Sequence, residues 1–217
     1  MTSYDRRRRL LAIALALQAG FVDALGFLQL GGYFVSFMSG NSTRLAVDLG
    51  VHRDAVWLAA AIVAAFVSGV MLGSLVRRST ELWPMTAVLA FVFACIVLAG
   101  LVEAQSKLAA IVAMTIAMGA VNATFERGGE TGIGVTYVTG ALVKSAQLLV
   151  SAFFGGNRSA WLWQAMLWVG LVIGALLGGM AFAQWQLGSL WIVVVLSGIL
   201  AACANCIERR SRWSVVD

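Results

Sequence analysis

Charge is what this sequence has least of. Only 12% of its 217 residues are Asp, Glu, Lys or Arg, where a soluble domain carries about 25%. So thin a polar coat cannot cover a water-soluble globule of this length, which excludes a soluble enzyme and a disordered chain. Proline is almost missing, with one in the whole chain. That favours long unbroken helices over the strands and turns of a barrel. The one histidine, His52, sits beside Arg53 and Asp54 in a loop composition. No HExxH helix, Cys/His metal set, nucleophile elbow or phosphate loop is present, so no enzyme activity, cofactor or metal site is expected. The three cysteines, Cys95, Cys203 and Cys206, all fall in apolar runs and are too few for a disulfide scaffold. Cys203-Ala-Asn-Cys206 lacks the βαβ setting of a redox pair.

What the chain does have is apolar length. A helix needs about 20 apolar residues to cross a bilayer. Six stretches qualify: Leu10–Leu30, Ala55–Val76, Leu82–Val102, Leu108–Phe125, Trp161–Ala183 and Leu187–Ile207. No charged residue occurs from Ser159 to Ile207, so two spans must lie there, turning near Gln184-Trp185-Gln186. The net charge of +5 suggests nucleic acid only until the charges are placed. Arg6 to Arg9 precede the first run, and Arg209, Arg210 and Arg212 follow the last. That is the positive-inside pattern, with both termini in the cytoplasm, and no basic stripe with interleaved aromatics exists for nucleic acid. The first run continues to Leu30, long enough to span, and reads as a helix rather than a cleaved signal.

Two further stretches are apolar but interrupted. Tyr33–Leu49 carries Ser39-Gly40-Asn41-Ser42-Thr43-Arg44 in its middle, and Ile133–Phe154 carries Thr139-Gly140 and then Lys144. Each reads as a short extended run, a glycine break and a helix start. Phe34, Val35, Phe37, Val135 and Tyr137 favour extended structure, and the Ser/Thr/Asn cluster supplies N-caps.

These stretches belong to an internal repeat. Gly20-Phe-Val-Asp23-Ala aligns with Gly119-Ala-Val-Asn122-Ala, Val35-Ser-Phe-Met-Ser-Gly40 with Val135-Thr-Tyr-Val-Thr-Gly140, Arg44 with Lys144, and Gly69-Val-Met-Leu-Gly73 with Gly174-Ala-Leu-Leu-Gly178. The matches share order, spacing and residue type. They divide the chain into one membrane domain of two halves, 1–104 and 105–217. If the interrupted segments dip in without crossing, each half has three spans and the halves are inverted, as in many transporters. If they cross, there are eight spans and parallel repeats. Eight spans would expose Arg77 and Arg78 on the outer side, so six spans plus two broken segments is the preferred architecture. The fold class is therefore an all-α polytopic membrane protein of two homologous halves. Gly69/Gly73 and Gly174/Gly178 let helices approach closely, inside one protomer first and in a homodimer second.

Polar, non-helical backbone at membrane depth survives only inside protein or beside a wet cavity. Two related breaks therefore point to one shared site near the midplane. Half-helix N-termini offer free N–H groups and partial positive charge. Ser39, Gly40, Asn41, Thr43, Thr139 and Gly140 add backbone and side-chain groups, and Arg44 and Lys144 lie one turn inside. The sum suits an anion or a polar solute with an acidic group. The plainer alternative is that Arg44 and Lys144 snorkel to headgroups. Asp23 is the only acid inside a span, and its mate is Asn122. An intramembrane acid is functional by default, so Asp23 is either a proton carrier or a partner for Arg44, with Asp48 competing at i+4. Glu126, Arg127 and Glu130 read as a solvated loop.

On Gly20-Phe-Val-Asp23-Ala-Leu-Gly26, Phe34-Val-Ser-Phe-Met-Ser-Gly40-Asn41 and Thr136-Tyr-Val-Thr-Gly140, nearly the whole chain resembles the YoaK-like family of uncharacterised bacterial inner-membrane proteins. The resemblance implies an integral inner-membrane protein of about this size and implies no substrate. The run–Gly–half-helix pair is also similar in pattern to sulfate- and uracil-permease transporters, where two facing half-helices hold the substrate. The expected function is membrane transport of a small polar or anionic solute. The rivals are a channel-like pore and a non-transporting scaffold or assembly protein.

Overall fold

Helix boundaries follow from local chemistry. The Asp5 side chain accepts the Arg8 N–H at 2.8 Å, Pro84 occupies the first turn of the fourth helix, and the Ser106 hydroxyl accepts the Ala109 N–H at 3.2 Å. Each satisfies, or removes, a donor that a helix start leaves unpaired. The computed structural model describes residues 5–51, 56–127 and 130–216; His52, Arg53 and Asp54 lie outside them. Among the described residues the α-helices are α1 (Arg6–Gln29), α2 (Met38–Val51), α3 (Val56–Arg78), α4 (Pro84–Val102), α5 (Lys107–Ala120), α6 (Val138–Phe153), α7 (Ala160–Trp185) and α8 (Leu190–Val216). A 3-10 turn continues α5 through Val121–Phe125, and a two-stranded hairpin follows, β1 (Glu126–Arg127) against β2 (Glu130–Thr131).

Five helical stretches are long and apolar enough to cross a membrane. The last, Ala160–Ser211, has 52 residues and doubles back at Gln186, whose φ is 52°, giving α7 and α8. By contrast α2 has 14 residues and α6 has 16. At about 1.5 Å per residue neither reaches across an apolar core of about 30 Å.

Glycine sets how these helices meet. A Cβ at Gly170, Gly174 or Gly178 of α7 would strike the backbone of Ile13, Leu17 or Phe21 of α1. Contacts that rise together along both chains mean that α1 and α7 run the same way. The α3–α5 pair does likewise, Gly69 on Ile116 and Gly73 on Ala120. These glycines are thus consumed in packing within one protomer. The α4–α8 pair runs oppositely: Gly100 lies by Trp191, Phe93 by Gly198, and Glu208 reaches Met85 and Thr86. Gln18 of α1 donates to Ser197 of α8 at 2.7 Å.

The most enclosed helices are α1 and α5. Of the apolar windows of α1 and of α5 with its 3-10 turn 67% and 72% is buried, against 22% for α3, so Asp23 of α1 and Asn122 of that turn lie in the protein interior. The outer faces of α3 and α7 show Met71, Leu75, Leu176 and Met180, the surface a bilayer requires.

Four expectations need correction. The runs at 33–37 and 133–137 form no strand, because the Val35, Ser36 and Thr136 amides bond side chains of the preceding span, and those of Phe34 and Tyr137 bond Asn41 and the Gly134 carbonyl, rather than a neighbouring strand. Gly40 and Gly140 do not break the chain; the helices already begin at Met38 and Val138. The Ser/Thr/Asn cluster does not supply the caps: Thr43 donates back to the Ser39 carbonyl at 3.0 Å, and Tyr137 at the start of α6 makes no side-chain cap bond. Glu126 is not solvated; it is half-buried, accepts the Ser74 hydroxyl at 2.7 Å and lies 3.8 Å from Arg78.

Candidate functional site

Past the end of α1, Gly31 and Gly32 adopt φ of 64° and 107°, a reversal that residues with a Cβ rarely make. The chain then turns back along α1 until Val35 and Ser36 meet Asp23. One Asp23 oxygen accepts the Val35 N–H at 2.8 Å and the Ser36 N–H at 2.7 Å; the other accepts the Ser36 hydroxyl at 2.6 Å. From that depth α2 leaves. Asn41 closes the bend, its amide oxygen taking the Phe34 N–H at 2.9 Å and its amide nitrogen donating to the Phe34 carbonyl at 2.6 Å. The result is a re-entrant segment hung from the preceding span.

The second half builds the same device with weaker parts. Asn122 accepts the Thr136 N–H at 3.4 Å and its hydroxyl at 3.0 Å. Its amide nitrogen turns back on its own helix, to Met118 at 3.1 Å and Gly119 at 3.4 Å. Ala141 stands where Asn41 stood. The Ser145 hydroxyl donates to the Trp161 carbonyl at 3.1 Å, tying α6 to α7.

The two expected cations part company. Arg44 is half-buried, stacks over the Tyr33 ring at 4.4 Å and donates to the carbonyls of Gly31, at 3.3 Å, and Gly32. A Cβ on Gly32 would occupy the guanidinium's place, so that glycine is needed twice over. Tyr33 in turn donates its hydroxyl to buried Asp48 at 2.6 Å. Arg44 therefore pairs with neither Asp23 nor Asp48: Asp23 is spent on the loop, and Asp48 on Tyr33. Lys144, Ser39, Thr43, Thr139 and Gly140 are exposed on the protomer surface, while Asn41 is fully buried. α2 packs on α3 and α6 on α7. Within one protomer the first turns of α2 and α6 thus lie on different helix pairs.

Sequence reading passed over Ser36 and Thr136, although both stood inside the aligned motif and mirror each other in bonding Asp23 and Asn122. It also passed over Glu208, a lone acid at the end of a span. Its oxygens accept the Met85 N–H at 2.8 Å, the Thr86 N–H at 3.0 Å and the Thr86 hydroxyl at 2.6 Å, capping α4 from another helix.

Residues 11–203 match the family model described as "Protein of unknown function (DUF1275)". The chain is 37% identical over 167 residues to the UPF0700 transmembrane protein RA0705 of Rhizobium meliloti (strain 1021), covering 77% of this chain and 72% of that one. It is 32% identical over 153 residues to the UPF0700 transmembrane protein YoaK of Bacillus subtilis (strain 168), covering 65% and 67%. No solved structure matches it. Together with the apolar helices, these relatives make the chain an all-α membrane protein.

Proposed function

The chain belongs to the DUF1275 family, and from that premise we propose that it transports a small polar or anionic solute across the bacterial inner membrane. In this reading the halves 1–104 and 105–217 are inverted repeats and both termini are cytoplasmic. The observation that carries it is the pair of re-entrant segments, each hung from one polar residue of the preceding span, Asp23 to Val35 and Ser36, Asn122 to Thr136. Non-helical backbone at membrane depth is tolerated only inside protein or beside a water-filled cavity, and paired breaks of this kind form the solute sites of transporters built from inverted repeats.

Helix directions support the inversion. Taking α1 as upward, α7 is parallel to it and α8 antiparallel to it; α4 opposes α8, and the short connection sets α3 against α4, with α5 following α3. Each helix of the first half then runs against its mate in the second. The close contacts also map onto one another. Gly20 meets Leu171 as Gly119 meets Phe66, and Gly174 meets Leu17 as Gly69 meets Ile116.

In this reading the solute-facing groups are the first turns of α2 and α6, with Ser39, Gly40, Thr43, Thr139 and Gly140, and with Arg44 and Lys144 supplying positive charge, while buried Asn41 holds the bend beneath them. Asp23 and Asn122 position these turns. The reading involves no catalytic step and no cofactor. A thermal-shift screen of purified protein against small anions, nucleobases and carboxylates tests it. One stabilising class, transported into proteoliposomes and lost in both Arg44→Gln and Lys144→Gln, supports it; no class stabilising, or uptake unchanged in both variants, removes it. The exposure of Thr139, Gly140 and Lys144 favours one second reading, a scaffold whose α6 face takes a second copy or another membrane protein. There, substitution on α6 changes association and leaves uptake absent throughout.

A further inference from the structure

At the end of the bundle where α1 begins and α8 ends, a partly open cavity of about 80 Å³ lies among Arg8, Arg77, Met85, Thr124, Glu126 and Glu208. The charges around it are mostly engaged. Both Glu208 oxygens hold the first turn of α4. Glu126 accepts Ser74 and faces Arg78. Arg77 donates to the Thr124 carbonyl at 3.0 Å. Two buried polar atoms of the lining residues have no partner, Arg8 Nε and Thr124 Oγ1, and Thr124 is 0% exposed.

Buried polar groups are nearly always hydrogen-bonded, so two orphans in residues around one cavity call for a ligand. Their chemistry selects it. Arg8 Nε–H is a donor only, and the Thr124 hydroxyl turns to donate or accept. Both Glu208 oxygens and one Glu126 oxygen are bonded, the other Glu126 oxygen faces Arg78 at 3.8 Å, and Arg8, Arg77 and Arg78 outnumber the two carboxylates, so the site does not select a cation. What the site lacks is an acceptor. At about 15 Å³ per water-sized occupant, the space holds roughly five such units, which admits a tetrahedral oxyanion or short carboxylate and excludes a nucleotide.

We propose that this cavity binds a small oxyanion, with Arg8 and Thr124 as its hydrogen-bond donors and Arg77 adding charge. The same chemistry is carried by free phosphate and by the phosphate of a lipid headgroup. The proposal stands apart from the transport reading, since none of these residues lies on α2 or α6.

The test uses the full chain, purified in uncharged detergent and stripped of lipid. Its thermal midpoint is followed against phosphate, sulfate and acetate, with chloride at matched ionic strength, and separately against short-chain phosphatidic acid. Saturable stabilisation by an oxyanion beyond chloride is expected. Thr124→Val keeps the shape and removes the hydroxyl, so affinity should fall about tenfold, the scale of one good hydrogen bond to a charged ligand. Arg8→Gln should weaken it at least as much, and Ser68→Ala should leave it unchanged. Stabilisation by phosphatidic acid alone, lost in Thr124→Val, assigns the site to a lipid headgroup. No response beyond chloride overturns the proposal. So does binding that survives Thr124→Val and Arg8→Gln; if that binding is lost in Arg44→Gln with Lys144→Gln, the anion belongs to the re-entrant segments and the transport reading stands without this site.

Discussion

The two re-entrant segments share a backbone plan and differ in how tightly it is held. In the first, Asp23 has two acceptor oxygens and no donor, so all its capacity goes to the loop, in three bonds of 2.6–2.8 Å. Asn41 adds two more bonds across the bend, and Arg44 clamps its shoulder through Gly31, Gly32 and Tyr33. In the second, Asn122 divides its amide between the loop and its own helix, its loop bonds lengthen to 3.0 and 3.4 Å, and Lys144 is exposed. Ile133 and Val135 are buried in the second segment as Tyr33 and Val35 are in the first, so the apolar packing is shared and the polar ties are what differ. Two segments can therefore follow the same backbone path while one is tightly held and the other more loosely.

From that contrast, Asp23→Ala should be the most damaging single change. It strands two buried amides and a hydroxyl, each costing about 1–3 kcal/mol, so a loss of about 4 kcal/mol is expected. Thermal unfolding in detergent, followed by size-exclusion chromatography, reads it. The helix crossings should not show the contrast. Gly174→Leu and Gly69→Leu each force a side chain onto backbone, and each should cost about 3 kcal/mol. Unequal losses there would mean that the α1–α7 and α3–α5 pairs are not equivalent.

Asn122→Ala should cost about 1–2 kcal/mol, since its loop bonds are long and few; a loss as large as that of Asp23→Ala would erase the distinction between the halves. The smallest difference separates the cations. Arg44→Gln gives up the ring stacking and the bonds to the Gly31 and Gly32 carbonyls, about 1–2 kcal/mol, while Lys144→Gln at an exposed position should stay within about 0.5 kcal/mol. Hydrogen exchange of the amides at 33–37 and 133–137 checks the same ordering locally, with slower exchange expected in the first segment.

Much of the fold was legible. The six apolar stretches, the turn near Gln184–Gln186 and the two interrupted segments all lie where helices, a turn and short helices are found, because bilayer thickness and apolar length constrain one another directly. The candidate site was legible only as a set of residue types. Asp23, Asn122, Ser39 to Arg44 and Thr139 to Lys144 were singled out because polar residues in an apolar run need partners. Which partners they take was not readable. Asp23 selects Val35 and Ser36 over Arg44, and Arg44 selects two carbonyls and a ring over Asp48.

The amino-acid sequence by itself determined the class of this protein and its apolar helices, since hydropathy is a property of a line of residues. Only the tertiary structure decided that Gly174 and Gly69 serve contacts within the protomer, that Glu208 caps α4, and that Arg8 and Thr124 meet at one cavity. Those pairings join residues more than a hundred positions apart, or on different helices. A hydrogen bond or a backbone contact is won by tenths of an ångström, which packing sets and periodicity does not carry.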